Sequence, residues 1–134
     1  MRALVVDDDP ASRQVLAVQL DGLGPCTLCA SGPDAVEAIV RAIAAGEPFD
    51  VVFLDCIMPY MDGFETLTRI RDVETSAGLP PERQAKAILV TSMDDDPDTL
   101  AAPCDCRIAA TLLKPANKTE LLETLAALLL VDKN

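Results

Sequence analysis

Three apolar runs that each close on carboxylates or hydroxyls constrain this chain more than any other feature: LVVDDDP near the start, VVFLDCIMPYMDG in the middle and ILVTSMDDD further on. A buried parallel strand reads as a short continuous apolar run, and in open α/β sheets the reactive groups collect just beyond the carboxyl ends of the strands. Asp7, Asp8 and Asp55 are therefore expected to converge. Three carboxylates held that close resist joint ionisation unless a divalent cation or a positioned lysine offsets their charge. The pattern predicts a magnesium site.

Strand-like runs at Ala3 to Val6, Val51 to Leu54, Ile88 to Val90 and Leu112 to Leu113, with a weaker one at Cys26 to Ala30, alternate with helical patterns. That alternation predicts an α/β fold, a doubly wound five-stranded parallel sheet with helices on both faces. The first helix is expected to open at Asp9 and Pro10, to turn Val15, Leu16 and Leu20 inward, and to stop by Gly24-Pro25. A second follows Gly32-Pro33 through Val36, Ile39, Val40 and Ile43 to Gly46, and a third runs from about Phe64 to Thr75 with Leu67, Ile70 and Val73 inward. GLPPERQ reads as a surface loop, and Pro97 and Pro103 confine any fourth helix to residues 97–102. The last helix starts at Asn117, where Glu120 completes a capping-box pattern, and carries the stripe Leu121, Leu122, Leu125 and Leu128.

At 134 residues the chain is expected to form one domain over 1–134. Its longest uncharged apolar run, LAALLLV, is far short of the roughly 20 residues a membrane span needs, so the expected location is cytoplasmic, without membrane insertion. With 22 acidic against 11 basic residues the net charge is -11, which argues against direct nucleic-acid binding and favours a basic or mixed-charge protein partner. No histidine is present, which removes Ser-His-Asp and Cys-His catalysis, histidine metal ligation and any phosphohistidine on this chain. Of the five cysteines, Cys26 and Cys29 fall in an expected strand, where odd spacing sends them to opposite faces and away from a shared metal. Buried free thiols are the expectation.

Taken one at a time, these residues have plain structural readings: Asp8 and Asp9 as helix-capping carboxylates, Thr91 as a turn hydroxyl, Lys114 as a solvated surface charge. Taken together, LVVDDDP, VVFLDCIMPYMDG, ILVTS and LLKP occur in order, each at the end of an expected strand, and the chain resembles the CheY-like receiver domains of two-component response regulators over nearly its whole length. That resemblance implies a flavodoxin-like sheet of order 2-1-3-4-5. It implies Asp55 as the phosphorylated residue, Thr91 and Lys114 as its catalytic partners, and Mg²⁺ held by Asp7, Asp8, Asp55 and the backbone carbonyl of Ile57. Pro115 would follow a cis peptide that aims the lysine. The implied donor is a histidine kinase or a histidine phosphotransfer protein, and the implied listener a downstream protein or a covalently linked domain. FLDCIMPYMDGFETLTRIRDVE is most similar to receivers of hybrid sensor histidine kinases. Such a domain is a phosphoacceptor that promotes its own phosphorylation and dephosphorylation, not an enzyme in the usual sense.

Two departures from the family stand out. Thr111 occupies the position, three before the lysine, where relatives carry an aromatic residue whose rotation accompanies activation, so the usual output face of fourth helix, fifth strand and fifth helix is in question. Ile57 and Met93 stand where relatives place side chains that help position a hydrolytic water; neither can hydrogen-bond it, so a long-lived phosphorylated state is expected. Two other readings compete. A haloacid-dehalogenase-type phosphatase would use Asp7 and Asp9, with Thr91, Lys114 and Asp94 in later motifs, but leaves the surroundings of Asp55 unexplained. A degenerate receiver would only bind proteins.

Overall fold

The computed structural model describes residues 1–56, 62–91, 107–114 and 117–128. Five strands, β1 (Ala3–Val6), β2 (Cys26–Cys29), β3 (Val51–Asp55), β4 (Lys86–Thr91) and β5 (Ile108–Leu113), pair in parallel in the order β2-β1-β3-β4-β5. Among the described residues four helices connect or follow them: α1 (Pro10–Leu20), α2 (Gly32–Ala44), α3 (Gly63–Ser76) and α4 (Lys118–Ala127). This is the expected doubly wound, flavodoxin-like sheet.

The continuous apolar strands are explained by two cores, one on each face of the sheet. Leu4, Val6, Val52, Leu54 and Leu89 pack with Ala35 and Ile39 of α2 and Phe64, Leu67 and Ile70 of α3. Alternate residues, Ala3, Val5, Val51, Phe53, Ile88 and Val90, pack with Leu16 and Leu20 of α1 and Leu121 and Leu125 of α4. The three central strands, β1, β3 and β4, are thus buried on both sides, as parallel strands between helices must be. Cys26 packs with the second core and Cys29 belongs to the first, so the two thiols do face opposite ways, and both are free, as is Cys56. Burial, with Asp34 adding to it, pushes the Cys29 thiol up to about 11, which leaves it inert near neutrality.

Helix starts follow their caps. The Asp9 side chain accepts from the Ala11 N–H at 3.2 Å ahead of Pro10, and the Asn117 side chain accepts from the Glu120 N–H at 2.7 Å. The buried faces of α1 and α2 are narrower than their apolar stripes. Val15 and Val40 are exposed, because each lies about 100° around the helix from its buried neighbour, Leu16 or Ile39. Strand β5 is six residues long instead of two, its N-terminal part alternating between half-buried and exposed residues at the sheet edge. The GLPPERQ loop contains a 3₁₀ turn at Pro81–Arg83, and Gln84 is buried, its side-chain amide donating to the Leu79 carbonyl at 2.9 Å. The helix expected at 97–102 lies outside the described residues.

The end of the sheet opposite the strand carboxyl termini is fastened by a buried ion pair. Arg71 of α3 donates to Glu74 at 2.7 Å and to the Ala85 carbonyl at 2.8 Å, and Glu74 accepts from the Ala85 N–H at 2.7 Å. A further bond from Arg71 to the Arg107 carbonyl, 3.3 Å, reaches the entry to β5. No helix among the described residues is long and apolar enough to cross a membrane.

Candidate functional site

Strand register brings the polar residues to one edge. Val6 lies opposite Leu54, so Asp7, one step beyond β1, comes alongside Asp55, the last residue of β3. Thr91 ends β4 opposite Leu113, and the next residue, Lys114, donates its backbone N–H to the Thr91 carbonyl at 2.6 Å. Asp7 and Asp55 are buried while Asp8 is exposed, yet one carboxylate oxygen from each of the three lies within 4.8 Å of the others.

Asp7 is held from several sides. Its N–H continues the ladder to the Cys29 carbonyl at 3.1 Å, its Oδ1 accepts from the Asp9 N–H at 2.9 Å, and its Oδ2 meets Lys114 Nζ at 2.9 Å. The same ammonium lies 3.3 Å from Asp55 Oδ2. Burial alone would lower the Lys114 pKa, but the adjoining carboxylates of Asp7 and Asp55 outweigh it and raise the pKa above the ordinary value, so the lysine stays charged. Asp8, by contrast, has no hydrogen-bond or ion-pair partner among the described residues and is free to turn toward a cation.

The cluster fits a hard divalent cation. Three carboxylates meet a single lysine ammonium, a cluster rich in negative charge that such an ion would offset. Ligand oxygens about 2.1 Å from Mg²⁺ stand roughly 3 to 4 Å from one another in an octahedron, a spacing the three carboxylates reach with little adjustment. The buried Thr91 Oγ1 is without a hydrogen-bond partner among the described residues, an uncommon condition that a ligand oxygen in the cleft would relieve. Thr111, three before the lysine, is exposed on β5 opposite Leu89. Ile57, Met93 and Pro115 lie outside the described residues.

Two residues that sequence reasoning passed over also touch the site. Gly63, the first residue of α3, donates its N–H to the Cys56 carbonyl at 3.0 Å, and a Cβ there would collide with the Asp55 carbonyl oxygen. The glycine ending the MDG motif was the available signal. Arg13 of α1 donates Nη1 to the Asp7 carbonyl at 2.7 Å, a contact across six residues that no spacing rule announces.

Residues 3–126 match the family model described as the response regulator receiver domain. The chain is 36% identical over 121 residues to the transcriptional regulatory protein AruR of Pseudomonas aeruginosa, covering 90% of this chain and 46% of that protein. It is 34% identical over 128 residues to the sensory/regulatory protein RpfC of Xanthomonas campestris pv. campestris, covering 96% of this chain and 16% of that protein. It therefore spans less than half the length of either relative. The receiver domain of the histidine kinase CKI1 from Arabidopsis thaliana, solved with Mg²⁺ and BeF₃⁻, is similar with a TM-score of 0.75 at 29% identity, covering 96% of this chain and 88% of that one. The receiver domain of the sensor histidine kinase PA1611 from P. aeruginosa, with magnesium in its active-site cleft, gives a TM-score of 0.71 at 27% identity, covering 94% of each.

Proposed function

This chain belongs to the response regulator receiver family, and on that premise we propose that its 134 residues form a receiver domain that takes a phosphoryl group onto Asp55 from a phosphohistidine of a histidine kinase or histidine phosphotransfer protein. Receivers are phosphoacceptors of two-component signalling, which leaves no support for the phosphatase reading. The observation that carries the assignment is the meeting of the Asp7, Asp8 and Asp55 carboxylates with Lys114 Nζ, 3.3 Å from Asp55, at the carboxyl edge of the sheet.

In the transfer, an Asp55 carboxylate oxygen attacks phosphorus, an O–P bond forms, and the P–N bond to the donor imidazole breaks. Positioning and charge do most of the work in such reactions. Asp7, Asp8 and Asp55 would hold Mg²⁺, with the Ile57 carbonyl as a further ligand, and the ion supplies positive charge for the transferring oxygens. Lys114 meets a phosphate oxygen as a point charge, and Thr91 donates its unpartnered hydroxyl to another. Pro115 follows the lysine and helps to aim it. The domain promotes its own phosphorylation and dephosphorylation, works in the cytoplasm, and passes the phosphoryl group or a changed shape to a protein partner or a linked domain. It binds neither nucleic acid nor membrane directly, in keeping with its charge of -11.

Incubation with acetyl phosphate, with and without Mg²⁺, followed by intact-mass spectrometry of the parent and of Asp55→Asn tests this reading. A magnesium-dependent gain of one phosphoryl group, absent in the variant, is expected. No gain in the parent would leave only a protein-binding module.

A further inference from the structure

The Asp7 N–H makes the last ladder bond of β1, to the Cys29 carbonyl, and the peptide that joins Asp7 to Asp8 lies between the strand and α1. The orientation of this peptide decides where the Asp8 side chain points. The Asp7 side chain is fixed independently, by the Asp9 N–H and by Lys114, whereas Asp8 is exposed and has no partner of its own among the described residues. The Asp7 carbonyl is held from α1, where the half-buried Arg13 donates Nη1 to it at 2.7 Å. A guanidinium is permanently charged and its donors are rigidly placed, so this is a strong and directional bond.

We propose that Arg13 is a positioning residue for the cation site: by holding the Asp7 carbonyl it sets the plane of the Asp7–Asp8 peptide and so presents the Asp8 carboxylate to the metal beside Asp7 and Asp55. The inference rests on the receiver reading and adds to it a residue that neither ligates nor touches the phosphoryl group. It also makes a prediction of unusual sign. Arg13 carries positive charge, so as a plain neighbouring charge it would repel Mg²⁺, and its removal would tighten cation binding. As a positioning residue its removal weakens binding, in the way that loss of a partner orienting a metal ligand does.

The test is calorimetric titration of the full chain with Mg²⁺ alone, for the parent, Arg13→Gln and Arg13→Lys, with thermal melts alongside. Arg13→Gln is expected to raise Kd roughly tenfold. Arg13→Lys keeps a donor for the carbonyl and should fall between the two. Phosphorylation of Arg13→Gln by phosphoramidate should return toward the parent rate at saturating Mg²⁺, with the half-saturating concentration displaced. An Arg13→Gln that binds Mg²⁺ as well as the parent or better would overturn the proposal, and should that variant not fold, an Arg13→Lys that binds more tightly than the parent would do the same. Failure of the parent itself to bind Mg²⁺ would instead bring down the receiver reading on which the inference stands.

Discussion

Lys114 Nζ lies 3.3 Å from Asp55 Oδ2, so the ammonium at the end of β5 reaches across β4 to the carboxylate that closes β3. The lysine shares its charge between Asp55 and Asp7, with which it makes the shorter contact of 2.9 Å. It is thus already placed to meet negative charge that arrives on Asp55.

Replacing Lys114 with methionine keeps most of the stem's volume and removes the ammonium. The rate of Asp55 phosphorylation by phosphoramidate, followed by intact mass, is expected to fall about 100-fold, as for loss of one preorganised donor to a developing anion. The side chain is partly exposed, so the far-ultraviolet dichroism should be unchanged. A variant labelled as fast as the parent would show that the lysine is only a counter-ion.

Gly63→Ala reverses an ordinary expectation. Alanine in a helix is normally favoured over glycine by about 1 kcal/mol. Here the added Cβ would overlap the Asp55 carbonyl oxygen and stand 3.0 Å from Cys56 Cα, both backbone atoms that have little room to give. Urea denaturation should show a loss of about 1–3 kcal/mol, the usual cost of overpacking. Phosphorylation should slow as well, because the displaced backbone carries Asp55. A stabilised variant would contradict the contact.

The Arg71–Glu74 pair is buried at the other end of the sheet, with side chains 10% and 3% exposed. Glu74→Ala takes the buried carboxylate away from the Arg71 guanidinium and from the Ala85 N–H, and should cost about 3–5 kcal/mol by chemical denaturation. The double variant Arg71→Met with Glu74→Leu should recover much of this loss. Where the variants are folded, labelling at Asp55 should persist, since the network lies far from the acceptor along β3 and β4. A Glu74→Ala protein as stable as the parent would mean that the pair contributes nothing.

The residues two positions after Asp55 and Thr91, Ile57 and Met93, offer no hydrogen bond to an attacking water. Ile57→Asn should therefore shorten the life of the aspartyl phosphate, read as loss of the added mass after the donor is removed. An unchanged decay would place control of hydrolysis elsewhere.

The parts of the fold that follow from strong local patterns were legible in the sequence. VVFLD could only be a strand buried on both faces, and the same pattern in LVVDDDP predicted that Asp7 and Asp55 would meet, as they do. Strand β5 is longer than its sequence suggests because Ala109 and Ala110 have little β preference; its pairing with β4 decides its conformation. Val15 and Val40 misled because apolar composition does not say which side of a helix faces the core. Arg13 and Gly63 act through contacts with the backbone of Asp7 and Asp55, and a backbone partner leaves no mark in side-chain spacing. Asp55, Thr91 and Lys114 were readable because the first two end strands and the third directly follows one; the residues that hold them in place were not.

Asp55 is the one of the clustered carboxylates proposed to receive the phosphoryl group. An aspartyl phosphate is reduced by borohydride to homoserine, so phosphorylation with phosphoramidate and Mg²⁺, reduction, and peptide sequencing by mass spectrometry identify the acceptor directly. Homoserine is expected at position 55, with Asp7 and Asp8 intact. Homoserine at position 7 or 8, or an unmodified Asp55 in a chain that has gained a phosphoryl group, would contradict it.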